Sequence, residues 1–138
     1  MNNNDFRLSF RARGDRYKPS QIRFAFASQH DTGDLAMRGR YKSGVYPYGA
    51  SEIRVPDSVP RSEIVSFLVE AVKPLLPAMT MAGADDFYVS AAYYFDTQCN
   101  LEFCPDELAR LASLGYTFAL SCYPTTESAE EIANEHNA

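Results

Sequence analysis

The sequence predicts an α+β fold, a four-stranded, mainly antiparallel sheet with two to three helices packed on one face. Three observations carry this. Strict alternation of apolar and polar residues recurs in several short segments, which marks strands with one dry face and one wet face. Two longer segments instead place apolar residues at three- and four-residue spacing, which marks helices. The chain has 138 residues, 46% of them hydrophobic, and shows no internal repeat, so it is sized for one domain over residues 5–124.

The elements follow in order. In Phe6-Arg7-Leu8-Ser9-Phe10-Arg11-Ala12-Arg13 the apolar side chains take every second position, and Gly14-Asp15 ends the strand. Lys18-Pro19-Ser20-Gln21-Ile22 reads as a short helix start with Pro at its first position. Residues 28–50 contain four glycines and little periodicity, and read as a long loop with a short strand near Val45–Tyr48. Ser51-Glu52-Ile53-Arg54-Val55 is the second strand. From Pro60 to Leu76 the residues Ile64, Phe67, Leu68, Ala71, Val72 and Leu75 share one helical face, and Pro74 and Pro77 kink or fray its end.

The third strand, Phe87 to Phe95, sends Phe87, Val89, Ala91, Tyr93 and Phe95 to one side and Tyr88, Ser90, Ala92 and Tyr94 to the other. Cys104-Pro105-Asp106-Glu107 opens a helix with Pro at the first position and acids in the first turn, and Gly115 closes it. The last strand runs from Tyr116 to Tyr123, with Tyr116, Phe118, Leu120 and Cys122 inward, and Pro124 stops it. Residues 125–138 hold four acids and few apolar groups, the composition of a flexible tail.

Charge divides the chain. Residues 1–54 carry ten Lys/Arg against five acids, and residues 55–138 carry three against thirteen, within a net charge of −5. Met1-Asn2-Asn3-Asn4-Asp5 has neither the basic nor the apolar region of a secretory signal. No apolar run approaches the roughly 18 residues of a membrane span. A cytoplasmic setting with three reduced thiols is the expectation.

Residues that carry acid–base, nucleophilic or metal chemistry are few and scattered. His136 lies in the tail. His30 lies in His30-Asp31-Thr32-Gly33-Asp34, where a histidine beside two acids could hold a divalent ion, though no second histidine is near in sequence. Cys99 and Cys104 lack a second Cys/His pair to complete a zinc site. Cys104 sits where a helix cap belongs, but Asp106 and Glu107 oppose a thiolate there. Asp85 and Asp86 precede a strand, so their side chains diverge, unlike an acid–base dyad. Phosphate-loop, dinucleotide and nucleophile-elbow motifs are absent from the sequence. The expectation is a non-enzymatic protein without metal or cofactor.

The third strand offers the best candidate for a protein-binding surface. Tyr88 and Tyr94 lie on the less apolar side of the third strand, flanked by Asp85, Asp86 and Asp96. Tyrosine suits interfaces, and surrounding carboxylates would steer a basic partner. The alternative is that these tyrosines pack under a helix.

A family resemblance points the same way. Leu101-Glu102-Phe103-Cys104-Pro105-Asp106-Glu107-Leu108, the Leu114-Gly115 helix end and the strand closing on Tyr123-Pro124 resemble the bacterial family catalogued as domain of unknown function 4279. That family's helix opens on F-S-P-E-L-L and its last strand ends in Tyr-Pro. Lys18-Pro19-Ser20-Gln21-Ile22 is similar to its D-P-E-E-I segment, and Arg38-Gly39 to its R-K-G loop. The chain departs from the pattern in having no Trp and in placing Cys104 where the family has Ser. The resemblance implies an immunity protein that binds and neutralises a cognate bacterial toxin domain, with a basic nuclease of a contact-dependent or polymorphic toxin system among the partners. It supplies no catalytic residue. Rival expectations are a small-ligand-binding protein or enzyme using the 28–50 loop with His30, and a single-strand nucleic-acid binder using Arg7 and Arg11. The pI near 5.0 makes nucleic acid the less natural partner.

Overall fold

In the computed structural model, which describes residues 5–125, the alternating first segment becomes β1 (Asp5–Gly14), the centre of a five-stranded sheet. On one side β1 pairs antiparallel with β3 (Gly49–Arg54), which pairs antiparallel with β2 (Ser28–His30). On the other side it pairs antiparallel with β4 (Asp86–Phe95), which pairs parallel with β5 (Thr117–Pro124). The order is β2-β3-β1-β4-β5. The sheet is therefore mixed and has one strand more than the alternation predicts. The extra strand is β2, whose three residues are too few to show a period.

The helices lie over the dry face of this sheet. After a 3-10 turn at Arg61–Glu63 comes α1 (Ile64–Val72), then a second 3-10 turn (Lys73–Leu75) and α2 (Leu76–Met81). Pro74 and Pro77 do not end the helical run as their chemistry predicts. Each sits in the first turn of the piece it opens, where a missing N–H costs nothing. By length and composition Arg61–Met81 is long and apolar enough to cross a membrane, contrary to the reading of the sequence. Its buried residues Ile64, Val65, Leu68, Val69, Val72 and Met79 belong to the same apolar cluster as Leu8, Phe10 and Val89 of the sheet. Leu68 and Val72 are fully buried, and trimming a leucine in such a place costs roughly 2–5 kcal/mol.

The parallel pair β4/β5 is joined by α3 (Pro105–Leu114). Cys104 takes the N-cap position with extended backbone, Glu107 accepts a 3.0 Å hydrogen bond from the Cys104 N–H, and Gly115 closes the helix in the left-handed conformation. Burial acts to raise the Glu107 carboxyl, but the Cys104 N–H and the Arg61 guanidinium outweigh it and hold the group below its usual range. Arg61, 2.6 Å from Glu107, also lies over the rings of Phe6 and Phe103, so one side chain ties the start of α1 to α3 and to the sheet.

β5 is an outer strand of the sheet and its inward side is covered only at Phe118. Leu120 and Cys122, expected inside, are exposed. The Cys122 thiol instead contacts that of Cys99, which pushes its pKa up. Lys18–Ile22 forms one 3-10 turn, Pro19–Gln21, and the expected strand near Val45 is a single bridge to Leu35. The acidic tail beyond Thr125, His136 included, lies outside the described residues.

One close approach fixes the corner where β1 turns back. Tyr17 is fully buried with its hydroxyl 2.7 Å from Ser51 Oγ, and its backbone crosses Gly49 so tightly that a Cβ there would lie 1.8 Å from the Tyr17 carbonyl oxygen. Gly49→Ala is therefore expected to lower stability by roughly 1–3 kcal/mol, because the corner must move apart. Urea unfolding at unchanged slope would measure it, and an unaltered midpoint would contradict the close approach.

Candidate functional site

The face of the sheet opposite the helices follows from the same alternation. β1 turns Arg7, Ser9, Arg11 and Arg13 to this side, and the register sets Arg11 beside Tyr88, and Arg13 beside Asp86. From β3 come Glu52 and Arg54, and Arg11 pairs across to Glu52. Tyr94 stacks on Tyr123 with centroids 5.3 Å apart, and the Arg7 guanidinium lies 5.3 Å from the Tyr94 ring centre.

Each of these arginines has a carboxylate. Arg7 meets Asp5 at 2.9 Å, Arg13 meets Asp86 at 3.4 Å, and Glu52 receives Arg11 at 3.1 Å and Arg54 at 2.5 Å. The Glu52 side chain is only 7% exposed, so its charge is tolerable there because two guanidiniums flank it. Glu52 Oε1 makes no well-angled hydrogen bond, so its contact with Arg54 is an ion pair of poor geometry. The exposed pairs contribute little stability, but together they leave the face close to neutral.

At the β2 end a folded segment covers part of this face. His30, opposite Ala50, stacks on Tyr46 at 3.6 Å with planes 10° apart, and Tyr48 meets it edge-on at 5.4 Å. Tyr41 packs edge-on against both tyrosines. The segment returns on itself through the Leu35–Val45 bridge, with hydrogen bonds from Ala36 N to Gly44 O and from Tyr46 N to Asp34 O. Asp31 accepts hydrogen bonds from the Ser20 N–H and hydroxyl, and the Asp34 carboxylate accepts one from the Asp31 N–H at 2.8 Å. The two acids beside His30 thus pin the loop. Among the described residues no three His, Cys, Asp or Glu side chains group to hold a metal ion.

A groove of about 560 Å³ runs between this segment and the strands, with Arg11, Glu52, Tyr88, His30 and Asp34 among its walls. Another depression, about 520 Å³, lies beside Arg61 and Tyr93 at the opposite end of β1. No thiol lines the His30 groove: Cys99 and Cys122 sit by the far end of β4, and Cys104 caps α3.

The residues singled out from sequence fall along β4. Tyr88 and Tyr94 lie on the face away from the helices, so among the described residues they do not pack under a helix. Asp85 and Asp86 stand at the start of β4 and Asp96 just beyond its end, a strand length of roughly 33 Å. The acids frame the tyrosines but do not gather around them, and Asp86 faces Arg13. Sequence reasoning missed the Arg11–Glu52–Arg54 contact, which depends on strand pairing, and the cluster of His30 with Tyr41, Tyr46 and Tyr48. The density of tyrosines in residues 41–48 was the available signal for the latter. No family model matches this chain, and neither a curated protein nor a solved structure is similar to it.

Burial holds the His30 pKa below its ordinary value, although the backbone of Asp31 and the carboxylates of Asp34 and Asp31 act in the opposite sense. The unfolded chain therefore takes up this proton first as pH falls. The contribution of the His30 stack is complete above about pH 6.5 and is lost as pH drops through the lower folded value. Amide protection at Ala36 and Tyr46, corrected for intrinsic exchange, is expected to fall below about pH 6. His30→Phe, which keeps a ring without a titrating proton, should abolish that step; a step of the same size in the variant would show that another group causes it.

Proposed function

We propose that this protein is a non-enzymatic immunity protein that binds a cognate bacterial toxin domain and neutralises it in the cytoplasm. The observation that carries the reading is the sheet face opposite the described helices, where tyrosines stand among arginines already paired with carboxylates of the same chain. Such a face offers aromatic area and hydrogen-bonding groups with most of its charge already compensated, and Tyr and Arg are the residues that dominate contact energy. The family resemblance of residues 101–124 supports the toxin as partner.

Tyr88 and Tyr94 would form the centre of the contact. Asp85, Asp86 and Asp96, at the two ends of β4, would meet basic groups at its rim. A nuclease domain suits this arrangement, since a protein that grips a phosphate backbone carries such groups. Rim charges act on the rate of association more than on its strength.

Co-expression with toxin domains encoded beside the gene is expected to restore growth, and the two chains should co-purify at one-to-one stoichiometry. Tyr88→Ala with Tyr94→Ala should weaken the complex by roughly tenfold or more. Failure of both rescue and co-purification with every neighbouring toxin would remove the proposal. Rescue that survives the double substitution would move the contact off this face.

A further inference from the structure

A second depression, on the outer side of the His30–Tyr46 stack, has a different electrical character from the rest of the sheet face. It holds about 480 Å³, and three arginines line it: Arg13 from β1, and Arg38 and Arg40 from the folded segment. Among the described residues no carboxylate lines it. Arg7, Arg11, Arg13 and Arg54 each have an acid within 4 Å, whereas Arg38 and Arg40 form no ion pair among the described residues. Residues 35–51 contain Arg38, Arg40 and Lys42 and no acid at all. In a chain of net charge −5 this is a local excess of positive charge held at one place.

The remaining walls are aromatic. Tyr41, Tyr46, Tyr48 and His30 supply them, and guanidiniums already lie over two of the rings, Arg13 at 4.9 Å from the Tyr48 centre and Arg40 at 5.7 Å from that of Tyr41. The segment is fixed rather than trailing: Ala36 is buried, Lys42 N donates to Gly39 O at 3.1 Å, and Gly44 N donates to Tyr41 O at 2.9 Å. The backbone that carries the cations, and the packed tyrosine rings, are thus set in place before any ligand arrives, which lowers the ordering cost of binding.

We propose that this depression binds a nucleoside phosphate, with the phosphate on Arg38 and Arg40 and the base against the tyrosine rings. A planar guanidinium matches phosphate oxygens in pairs, and aromatic rings stack on any base. The volume lies within the range of small-molecule sites. A bare phosphate would satisfy the arginines and leave the aromatic walls without a role. The unit can come from a free nucleotide or from a single strand, which would continue along the adjoining groove past Arg11 and Tyr88. The inference does not depend on toxin binding.

The chain has no tryptophan, so its intrinsic fluorescence comes from nine tyrosines, of which Tyr41, Tyr46 and Tyr48 line this depression. AMP, inorganic phosphate and a single-stranded oligouridylate of about eight nucleotides are titrated into the intact protein at low salt. AMP is expected to quench saturably and to bind at least about tenfold more tightly than phosphate. Arg38→Gln with Arg40→Gln, both exposed, should weaken AMP by about tenfold or more with an unchanged thermal midpoint. If that variant does not fold, Tyr41→Ala and the fall of wild-type affinity with salt serve in its place. The oligonucleotide binding more tightly than AMP identifies a strand, and equal affinities identify a free nucleotide. No saturable signal from AMP or the oligonucleotide up to about 10 mM and about 0.1 mM, phosphate binding as tightly as AMP, or full affinity in the arginine variant would each overturn the proposal.

Discussion

Everything in this molecule depends on β1 being a centre strand with a strict two-residue alternation. Hydrogen bonding to β3 on one side and β4 on the other fixes its faces, and a slip of one residue would exchange them all. With the register as it stands, Leu8, Phe10 and Ala12 go under α1, and Arg7, Arg11 and Arg13 go to the open side. The apolar core and the arginine row are thus two results of one constraint. Burying three guanidiniums in place of Leu8, Phe10 and Ala12 would cost far more than any gain from altered pairing, so the register has no competitor.

The parts of the fold written in local pattern were legible. The alternation of 6–13 and 87–95 placed β1 and β4 and their faces, and the Pro105, Glu107 and Gly115 signals bounded α3. What failed was whatever depends on partners distant in sequence. β2 is a strand only because β3 lies beside it, and β5 is exposed beyond Phe118 because it ends the sheet, which its own alternation cannot reveal. Pro74 and Pro77 misled because a proline that ends one helix is equally suited to open the next turn.

The candidate site divides in the same way. Tyr88 and Tyr94 could be assigned to one face from sequence, since strand period alone decides it. Their neighbours could not, because Arg11 and Glu52 are brought together by pairing across 41 positions of chain that carry no mark of it. The charge asymmetry between the two halves of the chain, so visible in the sequence, is largely cancelled on the sheet face, while among the described residues cations such as Arg38 and Arg40 form no ion pair. A count of charges therefore points less well to function than a count of charges left without a counterion.

The position of β1 also governs how the chain can assemble. It comes before both of its neighbours in the chain, and β4 begins only at Asp86. β3 can pair with β1 sooner, but until β4 follows the sheet lacks its other side, and the entropic cost of closing so long a loop must be met before β1 and β4 can reward it. Completion of this sheet thus waits for β4, and the interval leaves Phe6, Leu8 and Phe10 open to whatever chaperone or neighbouring chain is at hand.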